Sequence, residues 1–290
     1  MRRQTASLLC VLLAAAVTVG TGRAVTAQGG AAPVYVDPLH KPLDTLLNEY
    51  VRDGLVYYGA VKQDRATLDR YIASLDGPSA TAAAYAGWTR DQQLAFWLNA
   101  YNAFVLQTVI NHYPIHGTSP LYPPHSIRQI PGAFDRITHR AAGRTVTLDQ
   151  IEKQILPAFH DPRVYFALGR GAVGSGRLRS EAYASKRLDQ QLDDVEAECL
   201  SRSSCAQIDE VGDVISVSSI FSWHAPEFIA GYAGKALPLF ASRSPVERAI
   251  LAYIRPDLLT IEKDFIARNT FRVTFQKFDW RLNDMNRRYR

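Results

Sequence analysis

The 290-residue chain has little cysteine, little methionine and no strong excess of one charge: three Cys, two Met, and 33 basic against 28 acidic residues. Beyond its first thirty residues no apolar run approaches the ~20 residues that a membrane helix needs, so no span is expected there. No internal repeat, linker or second composition divides the chain. It has no Gly-x-Ser-x-Gly nucleophile elbow and no Cys-x-x-Cys pair of the kind that opens a zinc site. At 47% hydrophobic and 21% charged residues, the composition is that of a globular protein, neither disordered nor fibrous.

The chain begins with a processing signal. Arg2 and Arg3 precede the apolar stretch Leu8 to Val19, and Val25-Thr26-Ala27 forms a small-residue cleavage site before Gln28. Residues 1–27 are therefore expected to be a signal peptide and residues 28–290 one globular domain in the periplasm or medium, with no stable membrane insertion after cleavage. Cleavage removes Arg2, Arg3 and Arg23 and no acid, which lowers the net charge from +5 to +2. The basicity that would have pointed to nucleic acid disappears with the leader, so no nucleic-acid partner is expected. Cys199 and Cys205 then remain as an even pair. In an exported chain such a pair reads as a disulfide, the alternative being two free thiols.

Helical periodicity dominates. Leu43, Leu46, Leu47 and Tyr50 form one stripe, and Leu68, Tyr71, Ile72 and Leu75 a second. The strongest helix runs from Asp91 to about Asn111, with Leu94, Trp97, Leu98, Tyr101, Phe104, Val105, Thr108 and Val109 on one face. His112 to Pro131 reads as a long loop. Arg144–Leu148, Pro162–Leu168, Asp213–Ser218 and Phe271–Phe278 read as strands. Asp149 is placed as the cap of a helix over Gln150–Leu156, and Ser185 as the cap of a charged helix through Cys199. Val246–Ile254 and Pro256–Ala267 read as helices. The fold class is α+β, mostly helical, with a small β-sheet.

Four stretches carry candidate chemistry. Gly169-x-Gly171-x-x-Gly174 has dinucleotide-fingerprint spacing, but no helix follows directly to receive a pyrophosphate, so no cofactor is expected. The same turn carries Arg170, Arg177 and Arg179, with Arg163 shortly before. Glycine amides and guanidinium groups together suit a small anion or an anionic cell-envelope component. The same arginines also have Glu181, Asp189 and Asp193 within reach. The second stretch, Ser216 to Phe228, offers His224 as a base, with Ser218 or the turn residue Ser175 as nucleophile, for a hydrolase or transferase. Asn99 and Asn102 flank the apolar stripe of the long helix, where an amide either holds a loop or faces a ligand, and Asn102 joins Arg163 and Tyr165 as a ligand-site candidate. His112, His116, His125 and His139 lack a helix to align them, and no metal is expected. A protein-interaction scaffold is the remaining alternative.

Several motifs in order resemble one family. They are Tyr50-Val51-x-x-Gly54-Leu55-Val56-x-Tyr58; Leu94-Ala95-Phe96-Trp97-Leu98-Asn99-Ala100-Tyr101-Asn102-Ala103; Leu148-Asp149-Gln150-Ile151-Glu152; Asp161-Pro162-Arg163 with Phe166-Ala167-Leu168; Leu178-Arg179 through Glu181-Ala182-Tyr183; Ser219-Ile220-Phe221-x-Trp223; and Phe278-Asp279-Trp280-x-Leu282-Asn283. Together they resemble the domain of unknown function 547 family of bacteria and plants, from which no activity carries over. The resemblance implies cysteines where this chain has Arg170 and Ser175, prolines at Gly176 and Arg177, histidine at Tyr165 and tyrosine at His224. It thus implies a divergent chain in which one shared site has been altered.

Overall fold

The computed structural model describes residues 35–286; the expected signal peptide, with Cys10, lies outside them. The α-helices are α1 Lys41–Tyr50, α2 Tyr58–Gln63, α3 Arg65–Ser74, α4 Ala82–Ala86, α5 Arg90–His112, α6 Leu148–Gln150, α7 Leu188–Leu200, α8 Ile220–Trp223, α9 Ala225–Tyr232, α10 Pro245–Ile254 and α11 Thr260–Ala267. Strands are short: β1 Val51–Arg52 with β2 Leu55–Val56, β3 His139–Ala141 with β4 Arg144–Val146, and a three-stranded sheet of β5 Ala206–Asp209, β6 Val214–Val217 and β7 Arg272–Phe275. The class is α+β and mostly helical, as the periodicity predicts. Among the described residues no helix is long and apolar enough to cross a membrane.

Helix α5 is the centre of the molecule. Thr89 opens it with a capping box closed by Gln92. The sequence shows one apolar face, yet the helix is buried almost all round, from Leu94 through Ile110. Burying its polar side requires satisfied amides, and Asn99 and Asn102 supply them. Asn99 donates to Tyr183 O (2.8 Å) and accepts from Tyr183 N (2.9 Å). Asn102 donates to Ala167 O (3.1 Å) and accepts from Gly169 N (2.8 Å). Both amide edges of each residue are used, so the segment between residues 167 and 183 is clamped to α5 as a β-strand would be.

Several local expectations are corrected. Pro162–Phe166 is a 3-10 helix rather than a strand. Proline at its first position and Asp161, whose carboxylate accepts from Arg163 N (3.1 Å), outweigh the β-branched and aromatic composition. Thr147, not Asp149, caps α6, in a capping box with Gln150, and the chain continues as a π-helical turn over Ile151–Ile155. Ser185 caps nothing: its N–H and hydroxyl both go to Asp37 (2.6 and 2.7 Å), and α7 starts at Leu188.

The three-stranded sheet brings two distant aromatic segments together. β5 and β6 form an antiparallel hairpin, and β7 pairs with β6 in parallel. Parallel pairing makes the segments after β6 and β7 leave the sheet from the same end. Gln276 locks that exit: its N–H donates to Val217 O (2.8 Å), its amide donates to Ser216 O (3.1 Å), and its carbonyl accepts from the Ser219 hydroxyl. Trp223 and His224 come after β6, and Phe278 and Trp280 after β7, so the two segments meet in space.

Cys199, at the end of α7, is bonded to Cys205, just before β5 (Cα–Cα 5.4 Å). A loop this short constrains the unfolded chain by about 2 kcal/mol. Reduction is expected to lower the melting temperature by several degrees at this chain length. A Cys199→Ser/Cys205→Ser variant should melt at the same temperature with and without reductant; equal melting of oxidised and reduced wild-type protein would refute a stabilising bridge.

Candidate functional site

Four elements that are remote in sequence deliver a buried polar group to one place. Tyr101 comes from the middle of α5, Glu152 from the π-helical turn, Arg170 from the glycine-rich turn and His224 from the α8–α9 junction. Glu152 is the hub. Its Oε1 accepts from Arg170 Nη2 (2.6 Å) and Nε (3.1 Å) and bonds His224 Nε2 (2.9 Å). Its Oε2 accepts from the Tyr101 hydroxyl (2.9 Å) and from Arg170 Nε (3.2 Å). Arg170 is 1% exposed and Glu152 5%, which makes this a fully desolvated ion pair. The His224 ring stacks on Tyr165 with centroids 3.5 Å apart and planes within 10°.

The electrostatics fix the protonation states. Burial alone would raise the Glu152 carboxyl, but the Arg170 charge and the bonds from His224 and Arg170 overcome it and hold the group far below the usual carboxylate range. Burial pushes His224 down, with Glu152 only partly offsetting this, so the imidazole is neutral at pH 7. A neutral ring facing a carboxylate must carry its proton on Nε2. Nδ1 is then an acceptor, and it makes no hydrogen bond among the described residues.

These groups floor a cavity of about 310 Å³ lined by Arg128, Phe134, Asp149, Glu152, Lys153, Arg170, Trp223, His224 and Trp280. The rim is aromatic and cationic. Arg128 lies 4.4 Å from the Trp280 ring centroid and 4.5 Å from that of Phe134. Its guanidinium pairs with no carboxylate among the described residues, whereas Lys153 is bonded to Asp149 (2.8 Å). Trp223 and Trp280 lie 6.0 Å apart and within 19° of parallel, with Phe278 packed against both. Trp223 is 43% exposed, high for so large an apolar side chain.

The structure does not gather the arginines of the glycine-rich turn around one opening. Arg163 is engaged by Asp161, Asp189 and Asp193. Arg177 pairs with Asp53 and Glu198, and Arg179 with Glu181 and Asp194. Arg170 does reach the cavity, but it is buried and bonded to Glu152 and to Tyr165 O (3.0 Å). The glycines serve packing as well as turning. Gly171 adopts φ +66°, and a Cβ on Gly176 would sit 1.6 Å from Phe166 O. Asn102 holds the backbone, is buried and does not line the cavity.

Neither serine is bonded to His224. Ser175 Oγ accepts from Arg170 N (3.0 Å), and Ser218 Oγ accepts from Ile220 N (3.3 Å). His224 is oriented by a carboxylate, as a catalytic histidine is, but no serine hydroxyl completes the relay. Of the four histidines, His116 packs edge-on against His125 (centroids 5.8 Å), His112 and His125 each bond a backbone carbonyl, and His139 stacks on Phe104. No group of three or more His, Cys, Asp or Glu able to hold a metal occurs among the described residues.

Four of the six residues where the resemblance implies departures meet, while Arg177 pairs with Asp53 and Glu198 instead. Tyr165 stacks on His224, Arg170 N bonds Ser175 Oγ, and Arg170 Nη1 bonds Tyr165 O. Reading the residues alone passed over Glu152, Arg128, Lys153 and Trp280. Glu152 and Trp280 had one signal, their place in the motifs Leu148-Asp149-Gln150-Ile151-Glu152 and Phe278-Asp279-Trp280 of the family resemblance; Arg128 and Lys153 had none beyond their residue types.

The chain matches no curated protein and no solved structure. Residues 85–200, which hold Tyr101, Glu152, Tyr165 and Arg170 but not His224, Trp223 or Trp280, match the family described as Protein of unknown function, DUF547, and over that stretch the chain resembles it.

Proposed function

We propose that the protein is exported and binds an anionic small molecule or cell-envelope component in the cavity floored by Glu152, Arg170 and His224. The observation that carries this reading is Arg128, a guanidinium held over Trp280 and Phe134 at the rim with no carboxylate partner among the described residues. Around the cavity Arg128, Lys153 and Arg170 face Asp149 and Glu152, so the local field favours a negative ligand. The bonded cysteine pair supports an oxidising compartment. Binding is preferred to turnover because His224 has a carboxylate to orient it and no serine hydroxyl to activate.

In a thermal-shift series with phosphate, citrate and sugar acids, a ligand at a hundred times its Kd should add about 2.7 kcal/mol, a rise of several degrees. Arg128→Ala is expected to abolish that rise, while Arg177→Ala/Arg179→Ala keeps it. A rise that survives Arg128→Ala would move the anion elsewhere.

A further inference from the structure

The cavity is asymmetric in a way that selects among anions. Of its nine lining residues six are ionisable, and the other three, Phe134, Trp223 and Trp280, are aromatic and pack on one another. A flat aromatic ligand would lie well against Trp223 but would strip water from Asp149, Lys153 and His224 without repaying their hydrogen bonds. A purely aliphatic acid would leave the exposed indole uncovered. A pyranose ring matches both halves, because its axial C–H face is apolar and its hydroxyl edge both donates and accepts. His224 Nδ1 and Asp149 offer acceptors to those hydroxyls, and Lys153 offers donors. The volume of about 310 Å³ is at the small end of ligand pockets, room for one or two such rings.

We propose that the occupant is an acidic saccharide whose ring lies against Trp223 and whose carboxylate is held by Arg128. This rests on the anion-binding reading above and adds the chemical class of the ligand. Arg128 lies over Trp280, whose ring is near-parallel to that of Trp223, and all three line the cavity. A carboxylate borne on the stacked ring then has the Arg128 guanidinium in the same lining.

The test is calorimetric titration of the purified full chain with three sets of probes. The first is trisaccharides of galacturonate, guluronate and mannuronate, together with a muramic-acid fragment; the second is their neutral counterpart maltotriose; the third is citrate. At least one acidic sugar is expected to bind ten-fold or more tighter than both citrate and maltotriose. Trp223→Leu should weaken that sugar at least ten-fold and leave citrate within two-fold, whereas Arg128→Ala should weaken both. Circular dichroism and melting of each variant check that the fold is kept. If citrate binds as tightly as every sugar acid and Trp223→Leu changes neither, the saccharide inference is overturned and the anion site stands. Equal binding of maltotriose and the acidic sugars overturns it too. If no probe binds, both readings fall.

Discussion

Arg170→Met is expected to destabilise the protein by about 3–5 kcal/mol, because it leaves the buried Glu152 carboxylate without its counter-charge. Three further groups lose their arrangement with it. The Tyr101 hydroxyl and His224 Nε2 both depend on Glu152 staying ionised and fixed, and Tyr165 O loses its donor. At this chain length the loss corresponds to a fall of roughly 6–20 °C in melting temperature. Glu152→Met alone should cost a comparable amount, since it leaves the guanidinium unpaired. The informative variant is the double change, Arg170→Met/Glu152→Met. Two apolar side chains of similar length replace the charges without leaving either one alone, so most of the stability should return. Denaturant titration of the four proteins closes the cycle. Additive losses, with no recovery in the double variant, would mean that the pair is not the stabilising unit.

Acid is expected to weaken the fold well before ordinary carboxylates titrate. Burial pushes both His40 and His139 down to about 4 from an ordinary value of 6.5. His40 Nδ1 bonds the Tyr71 hydroxyl (2.8 Å) in a buried setting, and His139 stacks on Phe104 with its Nε2 unpartnered, so neither environment welcomes a second ring proton. Between pH 6.5 and 4 the unfolded chain binds protons that the folded chain refuses. Stability is therefore complete above pH 6.5, falls as pH drops through this window, and levels off below 4. Each histidine accounts for roughly 3 kcal/mol at the acid limit. Asp37 and Glu152, both held below their ordinary values, add loss in the same direction at still lower pH. Glu196 opposes them. Burial raises it to about 7, so its contribution is present at acid pH and is lost as pH rises through 7.

Comparing wild type with His40→Gln/His139→Gln removes the Glu196 part, which is common to both. The stability difference between them is expected to shrink by several kcal/mol from about pH 7.5 to about pH 4.5. A difference that stays constant across that range would show that neither ring is kept neutral by the fold.

The sequence by itself determined the class and the skeleton. The long helix is legible because Leu94 through Val109 repeat at the helical period. The Cys199–Cys205 bond is legible because two cysteines six positions apart leave few other uses. Local signals failed where a second local signal competed with them. Asp161-Pro162 turned a strand-like run into a 3-10 helix, and Thr147 captured a cap expected at Asp149.

Tertiary structure alone decided the site. The arginines of the glycine-rich turn look alike in sequence, yet one enters the interior and the others stay with surface carboxylates, because Asn102 clamps Gly169 and Gly176 lies against Phe166. Glu152 becomes the hub because the π-helical turn carries it beneath Tyr101 and Arg170, a placement that no periodicity encodes. Trp223 and Trp280, far apart in the chain, face one another because β6 and β7 run parallel and end together. Periodicity is a property of neighbours along the chain. A site assembled from four distant segments depends on which buried charge each segment must satisfy, and that is settled only when the whole chain has packed.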